Sequence, residues 1–318
     1  MVGKYDIEIY NNRVHYFLTI KRNITIVKGD SATGKTELIR LVSEYEANGN
    51  SSGITLKCEK NCTVLTNVAW ELRLSAISQS IIFIDETAGF IKTKRFAELV
   101  RNSDNYFVIV TRDDLSQLPY SVEEIYGLKN TAGSSKYKTY KKVYNEMYKL
   151  YNLDSLSTIV PELVITEDSN SGYECFSNLY DDCESAKGKS NIYESIRRNA
   201  DKKLLVIVDG AAFGPEIGKV MGYLSVNDID CVLYAPESFE FIILKAGIVD
   251  IPEQIVDETF KYADSIKYIS WEEFYTEYLI KATEGTIYKY SKTRLNNNYL
   301  QHKILEKIKN VLPDQIKS

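Results

Sequence analysis

Residues 23–42 read NITIVKGDSATGKTELIRLV, and the fold follows from how this stretch divides. A β-branched run at 24–27 leads to Gly29, and a second glycine, Gly34, precedes Lys35, Thr36 and a helical segment expected over 36–47. The octet Gly29-Asp30-Ser31-Ala32-Thr33-Gly34-Lys35-Thr36 satisfies G-x4-G-K-[ST] in full, and it lies between a strand and a helix, the context that gives the motif a mechanism. Glycines let backbone N–H groups curl around a phosphate, and the helix N-terminus adds positive potential. The Lys35 ammonium reaches the outer phosphates, and the Thr36 hydroxyl is placed to ligate Mg²⁺. The first expectation is therefore a phosphate-binding loop over 29–36.

Working outward, Ile81-Ile82-Phe83-Ile84 is a buried strand ending on two acids, Asp85 and Glu86. Asp85 is expected to hold Mg²⁺ through water, and Glu86 to polarise an attacking water. The next apolar run, 106–110, ends at Thr111-Arg112. Thr111 is a candidate sensor of the water or the outer phosphate. Arg112 is either a finger for a neighbouring subunit or a salt-bridge partner within its own loop. Runs at 6–10 and 13–20 flank Asn11-Asn12 and read as a β-hairpin. Short strands at 53–59 and 62–66 and helices at 67–79 and 91–103 complete an alternating pattern, which implies a parallel sheet.

The chain has 318 residues, room for about two domains. With 44% hydrophobic and 26% charged residues its composition is that of a globular protein. No apolar run reaches the ~18–20 residues of a membrane helix, and the first ten residues carry acids and no apolar core, so neither a membrane nor a secretory signal is expected. Two histidines, His15 and His302, leave carboxylates, lysines or a bound nucleotide to carry any chemistry. The five cysteines at 58, 62, 175, 183 and 231 fit no zinc ribbon and read as reduced thiols, giving a cytoplasmic expectation. Residues 1–150 hold 21 Lys+Arg against 17 Asp+Glu, and 151–318 hold 18 against 27, which suggests two units with different tasks.

Tyr137, Tyr140, Tyr144, Tyr148 and Tyr151 recur at helical spacing among Lys136, Lys138, Lys141, Lys142 and Lys149, so a connecting helix is expected over 136–152. Its stripe suits packing on a core or on the other domain, or stacking of nucleic-acid bases. A second α/β unit is expected over 153–250, with strands at 162–168, 203–209 and 230–236, and a mainly helical region over 251–318. Each strand ends near acids: Glu167-Asp168, Asp209 and Glu237/Glu240. Carboxylates at one sheet edge converge on the crevice where α/β ligands bind, and hard oxygen ligands suit Mg²⁺ or Mn²⁺.

The octet, the Asp85-Glu86 pair and the strand expected between theirs resemble the P-loop NTPases of the additional-strand group, over about 5–128. The resemblance implies Mg²⁺-dependent ATP binding and hydrolysis, with Glu86, Lys35, Thr111 and Arg112 in catalytic roles. The N-terminal hairpin is similar to that of ABC-like ATPases, yet no LSGGQ-type signature precedes Ser80, which argues against a transporter. Residues 160–245 resemble a Toprim-like nuclease domain of the OLD-type ATPase–nuclease proteins of phage defence. That resemblance matches Glu167 to the first acid, Asp209 to the first Asp of an Asp-x-Asp pair and Glu240 to the late acid, and it implies a second Mg²⁺ or Mn²⁺ site and DNA or RNA as partner. Ala211 stands where the second Asp belongs, which implies a degenerate domain.

The expected protein is thus an α/β ATPase over 1–135 with an N-terminal β-hairpin, joined to a smaller Toprim-like α/β domain and a helical C-terminus. It binds nucleotide, and it pairs with itself or with a partner protein. Its second domain either acts on nucleic acid or serves an ATP-switched regulatory protein without catalysis. A small-molecule phosphotransferase is a third reading, disfavoured by the absence of an arginine-rich lid.

Overall fold

The computed structural model describes residues 1–29, 34–131, 142–153 and 156–317. Two compact units emerge, Met1–Tyr151 with Phe260–Ile269, and Asn152–Thr259 with Ser270–Ser318. Among the described residues no helix is long and apolar enough to cross a membrane.

The first unit is built on nine strands: β1 (Tyr5–Tyr10), β2 (Val14–Ile20), β3 (Ile24–Val27), β4 (Thr55–Lys57), β5 (Asn61–Val64), β6 (Ser80–Ile84), β7 (Tyr106–Val110), β8 (Ile125–Thr131) and β9 (Val143–Lys149). They form one sheet in the order β4-β1-β2-β9-β8-β3-β7-β6-β5. Strands β8, β3, β7, β6 and β5 run parallel to one another. The expected parallel sheet covers only this part. Antiparallel pairs β1–β2, β1–β4 and β8–β9, joined by a parallel β2–β9 pair, make the whole sheet mixed.

Every residue of β3, β6 and β7 is buried, as continuous apolar runs covered on both faces should be. Each such Ile, Val or Phe contributes about 1.5–3 kcal/mol of transfer free energy. One face is covered by α1 (Lys35–Asn48) through Leu38, Leu41 and Val42. Elsewhere α2 (Trp70–Ala76) and α3 (Lys94–Arg101) are tied down by an aromatic chain in which Trp70 stacks on Phe90, Phe90 meets Phe96 and Phe96 meets Phe107. The β1–β2 hairpin is closed by Asn11, whose Oδ1 accepts from the Arg13 and Val14 N–H groups at 2.8 and 2.9 Å. Residues 260–269 join this unit, with Asn23 donating to the Ser265 and Tyr268 carbonyls.

The helix expected over 136–152 is corrected by β9. Over 143–149 the backbone is extended and hydrogen-bonded between β2 and β8; residues 136–141, with Tyr137 and Tyr140, lie outside the described residues. Tyr144 and Tyr148, four apart, also share one face of a strand, and they are exposed there while Asn145 is buried. Spacing by four therefore satisfied both periods, and pairing with two neighbouring strands decided between them.

The second unit carries a four-stranded parallel sheet of β10 (Leu163–Thr166), β11 (Cys183–Ser185), β12 (Leu204–Ile207) and β13 (Cys231–Tyr234), in the order β11-β10-β12-β13. The short edge strand β11 is not foreseen by the sequence reading. Helices α4 (Ser171–Leu179), α5 (Ile192–Arg198), α6 (Gly214–Asn227) and α7 (Phe239–Lys245) alternate with the strands. Helices α8 (Gln254–Asp257), α9 (Trp271–Thr283) and α10 (His302–Val311) complete the unit. The chain winds from β10 to β11 on one side and from β12 to β13 on the other, so the topological switch lies between β10 and β12.

Candidate functional site

In the first unit the glycine-rich segment joins β3 to α1. Gly29 and Gly34 have φ of 123° and 89°, values that L side chains rarely adopt. A Cβ on Gly34 would also lie 2.7 Å from the Tyr16 hydroxyl, which donates to the Gly34 carbonyl at 2.8 Å. Among the described residues no side chain caps the start of α1. N–H groups at a helix start can receive an anion, and the helix dipole favours it. Lys35 is buried and its Nζ donates to the Gly29 carbonyl at 2.8 Å, folding the ammonium back over the segment. Asp30, Ser31, Ala32 and Thr33 lie outside the described residues.

Thr36 and Asp85 line one cleft of about 440 Å³, walled by Arg40, Ser43 and Asn48 of α1 and by Thr66 and Asn67 after β5. Asp85 follows β6, and its Oδ2 accepts from the Thr87 hydroxyl at 3.0 Å. Its Oδ1 is buried with no hydrogen-bond partner among the described residues. An unpaired buried carboxylate oxygen costs about 1–3 kcal/mol or more, so this position is one a ligand would relieve. Glu86 is half exposed and meets Arg112, with Nε 3.4 Å from Oε2. Arg112 thus reaches Glu86 within its own chain. Thr111 is buried at the end of β7, and its hydroxyl oxygen accepts from the Asp113 N–H at 3.0 Å.

Mg²⁺ bound to a nucleotide keeps waters and phosphate oxygens and needs only one or two protein oxygens. Thr36 and Asp85, which line one cleft, are oxygen-bearing residues of the kind that requirement calls for.

In the second unit the acids gather at the switch between β10 and β12, the crevice where α/β sheets of this winding bind ligands. Glu167 Oε2 accepts from the Asp209 N–H at 3.0 Å, and Asp209 Oδ1 accepts from the Phe239 N–H at 3.2 Å. Asp168 accepts from the Gly172 and Tyr173 N–H groups at the start of α4. Glu240 is buried, and its Oε1 accepts from the Tyr290 hydroxyl at 2.9 Å. Gly210 must be glycine here, because a Cβ would lie 2.5 Å from the Ala235 carbonyl.

Burial pushes the Glu167 carboxyl up to about 7. Asp209 is raised well above the usual carboxylate range by burial first and then by Glu272, Glu167 and Glu240. These mutual effects bring Glu167, Asp209 and Glu240 into one electrostatic cluster. Even so, no group of three or more His, Cys, Asp or Glu among the described residues is arranged to hold a metal ion.

The sequence reading missed three members of this cluster: Glu272 on α9, Tyr290 and Lys292. Lys292 is ion-paired with Glu272. Burial works against its charge, yet Glu272, Glu240 and Asp209 together hold it above the ordinary lysine value. None sits in a motif, and the 31 positions between Glu240 and Glu272 leave no local pattern to find them by.

All five cysteines are free thiols. Cys58 is shifted down to about 7, chiefly by a hydrogen bond with Cys62.

Compared with known proteins, the chain matches no family model and no curated protein.

Proposed function

We propose that the first unit binds ATP with Mg²⁺ and hydrolyses it. The observation that carries this reading is that Thr36 and Asp85 line one cleft, with Asp85 Oδ1 buried and without a hydrogen-bond partner among the described residues. The strand order supports it, since β7 lies between β3 and β6, the arrangement expected of the additional-strand group. Thr36 and Asp85 would hold the Mg²⁺, and bound Mg²⁺·ATP would supply the phosphoanhydride and a cation that offsets its negative charge. Backbone N–H groups at the start of α1, after Gly34, would face the phosphates. Lys35 exchanges the Gly29 carbonyl for phosphate oxygen, and its charge offsets the negative charge on the outer phosphates. Glu86, at the rim, orients a water and accepts its proton at the carboxylate.

For the second unit, the regulatory reading is favoured over the nuclease reading by two observations. Ala211 is a buried methyl two residues after Asp209, and Lys292 is already seated among the acids. On this reading ATP drives a switch, and the Toprim-like unit contacts a partner or nucleic acid without cleaving it.

Titration calorimetry with a non-hydrolysable ATP analogue tests the nucleotide site. Wild type should bind more tightly with Mg²⁺ than with EDTA. Asp85→Ala should abolish most of that difference while retaining metal-independent binding. No binding by wild type under either condition would refute the proposal.

A further inference from the structure

The crevice of the second unit gathers Glu167, Asp168, Asp209 and Glu240 at the sheet edge, with Glu272 added from α9. So many carboxylates in one partly desolvated place repel unless protons or a cation compensate. A divalent cation would require several oxygens converging at about 2.0–2.6 Å. Instead each carboxylate is engaged by a protein donor. Glu167 is bonded to the Asp209 N–H, Asp209 to the Phe239 N–H, and Asp168 to two N–H groups of α4. Glu240 is bonded to Tyr290 and Glu272 to Lys292.

The segment 290–292 therefore delivers two donors. Tyr290 reaches Glu240, and Lys292, two residues on, reaches Glu272. The segment is fastened by Ser171 of α4, whose hydroxyl lies 2.8 Å from the Tyr290 hydroxyl and donates to the Lys292 carbonyl at 3.2 Å.

We infer that the Lys292 ammonium is the built-in counter-ion of this crevice and takes the electrostatic place of a divalent cation, so that the second unit is complete without metal. The inference is independent of the nucleotide reading, and its test contains no ATP. It also disagrees with the expectation of a Mg²⁺ or Mn²⁺ site at Glu167, Asp209 and Glu240. The geometry commits those acids to protein donors, and the positive charge among them comes from the chain.

The protein has two tryptophans, Trp70 in the first unit and Trp271 beside Glu272 in the second. In a full-length Trp70→Phe background, Trp271 fluorescence reports melting of the second unit alone. The reference protein and its Lys292→Arg version should melt alike in EDTA and in millimolar MnCl₂. Lys292→Ala should melt about 4–8 °C lower in EDTA, and Mn²⁺ should recover part of that loss. Adding Glu272→Gln to Lys292→Ala, which removes the partner's negative charge with the positive one, should raise the melting temperature above that of Lys292→Ala alone.

Two results would overturn the inference. One is a Mn²⁺-induced rise in the reference protein that disappears in Asp209→Asn, which would make the crevice a cation site. The other is Lys292→Ala melting like the reference in EDTA, which would mean Lys292 balances nothing. If Lys292→Ala does not fold, recovery of folding by the double substitution supports the inference, and failure to recover counts against it.

Discussion

The two sheets end in chemically similar edges that differ in how their acids are satisfied. After β6 in the first unit, Asp85 has a buried oxygen without a partner among the described residues. After β10 and β12 in the second unit, Glu167, Asp168 and Asp209 each accept from backbone N–H groups, and Lys292 adds a positive charge. Among the described residues the first edge leaves a buried carboxylate oxygen unpartnered, whereas each acid of the second accepts from a donor of the chain. An apolar strand followed by an acid is the sequence signature of both. Hydrogen-bond accounting, not the motif, separates an edge that awaits a ligand from one that is self-contained.

The comparison breaks first at Lys35 and Glu86. Lys35→Ala removes the buried ammonium proposed to face the phosphates and should lower ATP turnover by about 100- to 1,000-fold. Glu86→Gln keeps the size of the side chain and loses the base. It should hold ATP with near wild-type affinity while releasing phosphate about 100-fold more slowly. Phosphate release, read beside binding of a fluorescent ATP analogue, separates the two effects. Unchanged turnover in Lys35→Ala would remove the first edge from chemistry altogether.

The next effect belongs to the second edge and depends on pH. Glu167 titrates near 7 in the fold because burial disfavours its charge, against about 4.3 in an unfolded chain. Between those values the folded protein holds a proton that the unfolded chain has released. Stability of the second unit should therefore fall as pH rises through this window and be regained on acidification. Asp209, raised in the same sense, acts in the same direction. For one such carboxyl the change is at most about 4 kcal/mol. Denaturant unfolding followed by Trp271 near pH 5 and pH 8 measures it, and Glu167→Gln should flatten the difference. A second unit that gains stability as pH rises would contradict a desolvated acid cluster.

Much of this contrast was legible in the sequence and part was not, for identifiable reasons. Strands β3, β6 and β7 announce themselves as unbroken apolar runs because both of their faces are covered. Gly29 and Gly34 are legible because both hold a positive φ that favours glycine. Strand β9 was not, because one face of VYNEMYK is open to solvent and Tyr144 and Tyr148 fit either period. Edge strand β11 has three residues, too few for any periodic signal. Lys292 and Glu272 were invisible because their meaning is tertiary: an ordinary lysine and an acid in the first turn of α9 become a charge pair only once the chain returns to the crevice.

The smallest effect is expected at Arg112, and it sharpens what the first edge does alone. Arg112 meets Glu86 within the same chain at 3.4 Å, and both side chains are substantially exposed. An exposed ion pair of that kind is worth about 0–1 kcal/mol, equivalent to no more than about fivefold in a rate or an affinity. Arg112→Ala should consequently change ATP turnover by less than about fivefold in either direction. Its pairing partner should matter far more, because Glu86 is the proposed base and Arg112 merely holds it at the rim. A finger supplied to a neighbouring subunit would behave differently, since its removal strips charge from the transition state and costs about 1,000-fold or more. Turnover measured across a range of protein concentrations decides between the two. A rate per molecule that is independent of concentration and nearly unchanged in Arg112→Ala fits an arginine working inside its own chain. A rate that climbs with concentration and collapses in Arg112→Ala would place the guanidinium in a neighbour's cleft and make the first edge incomplete without a second copy of the protein.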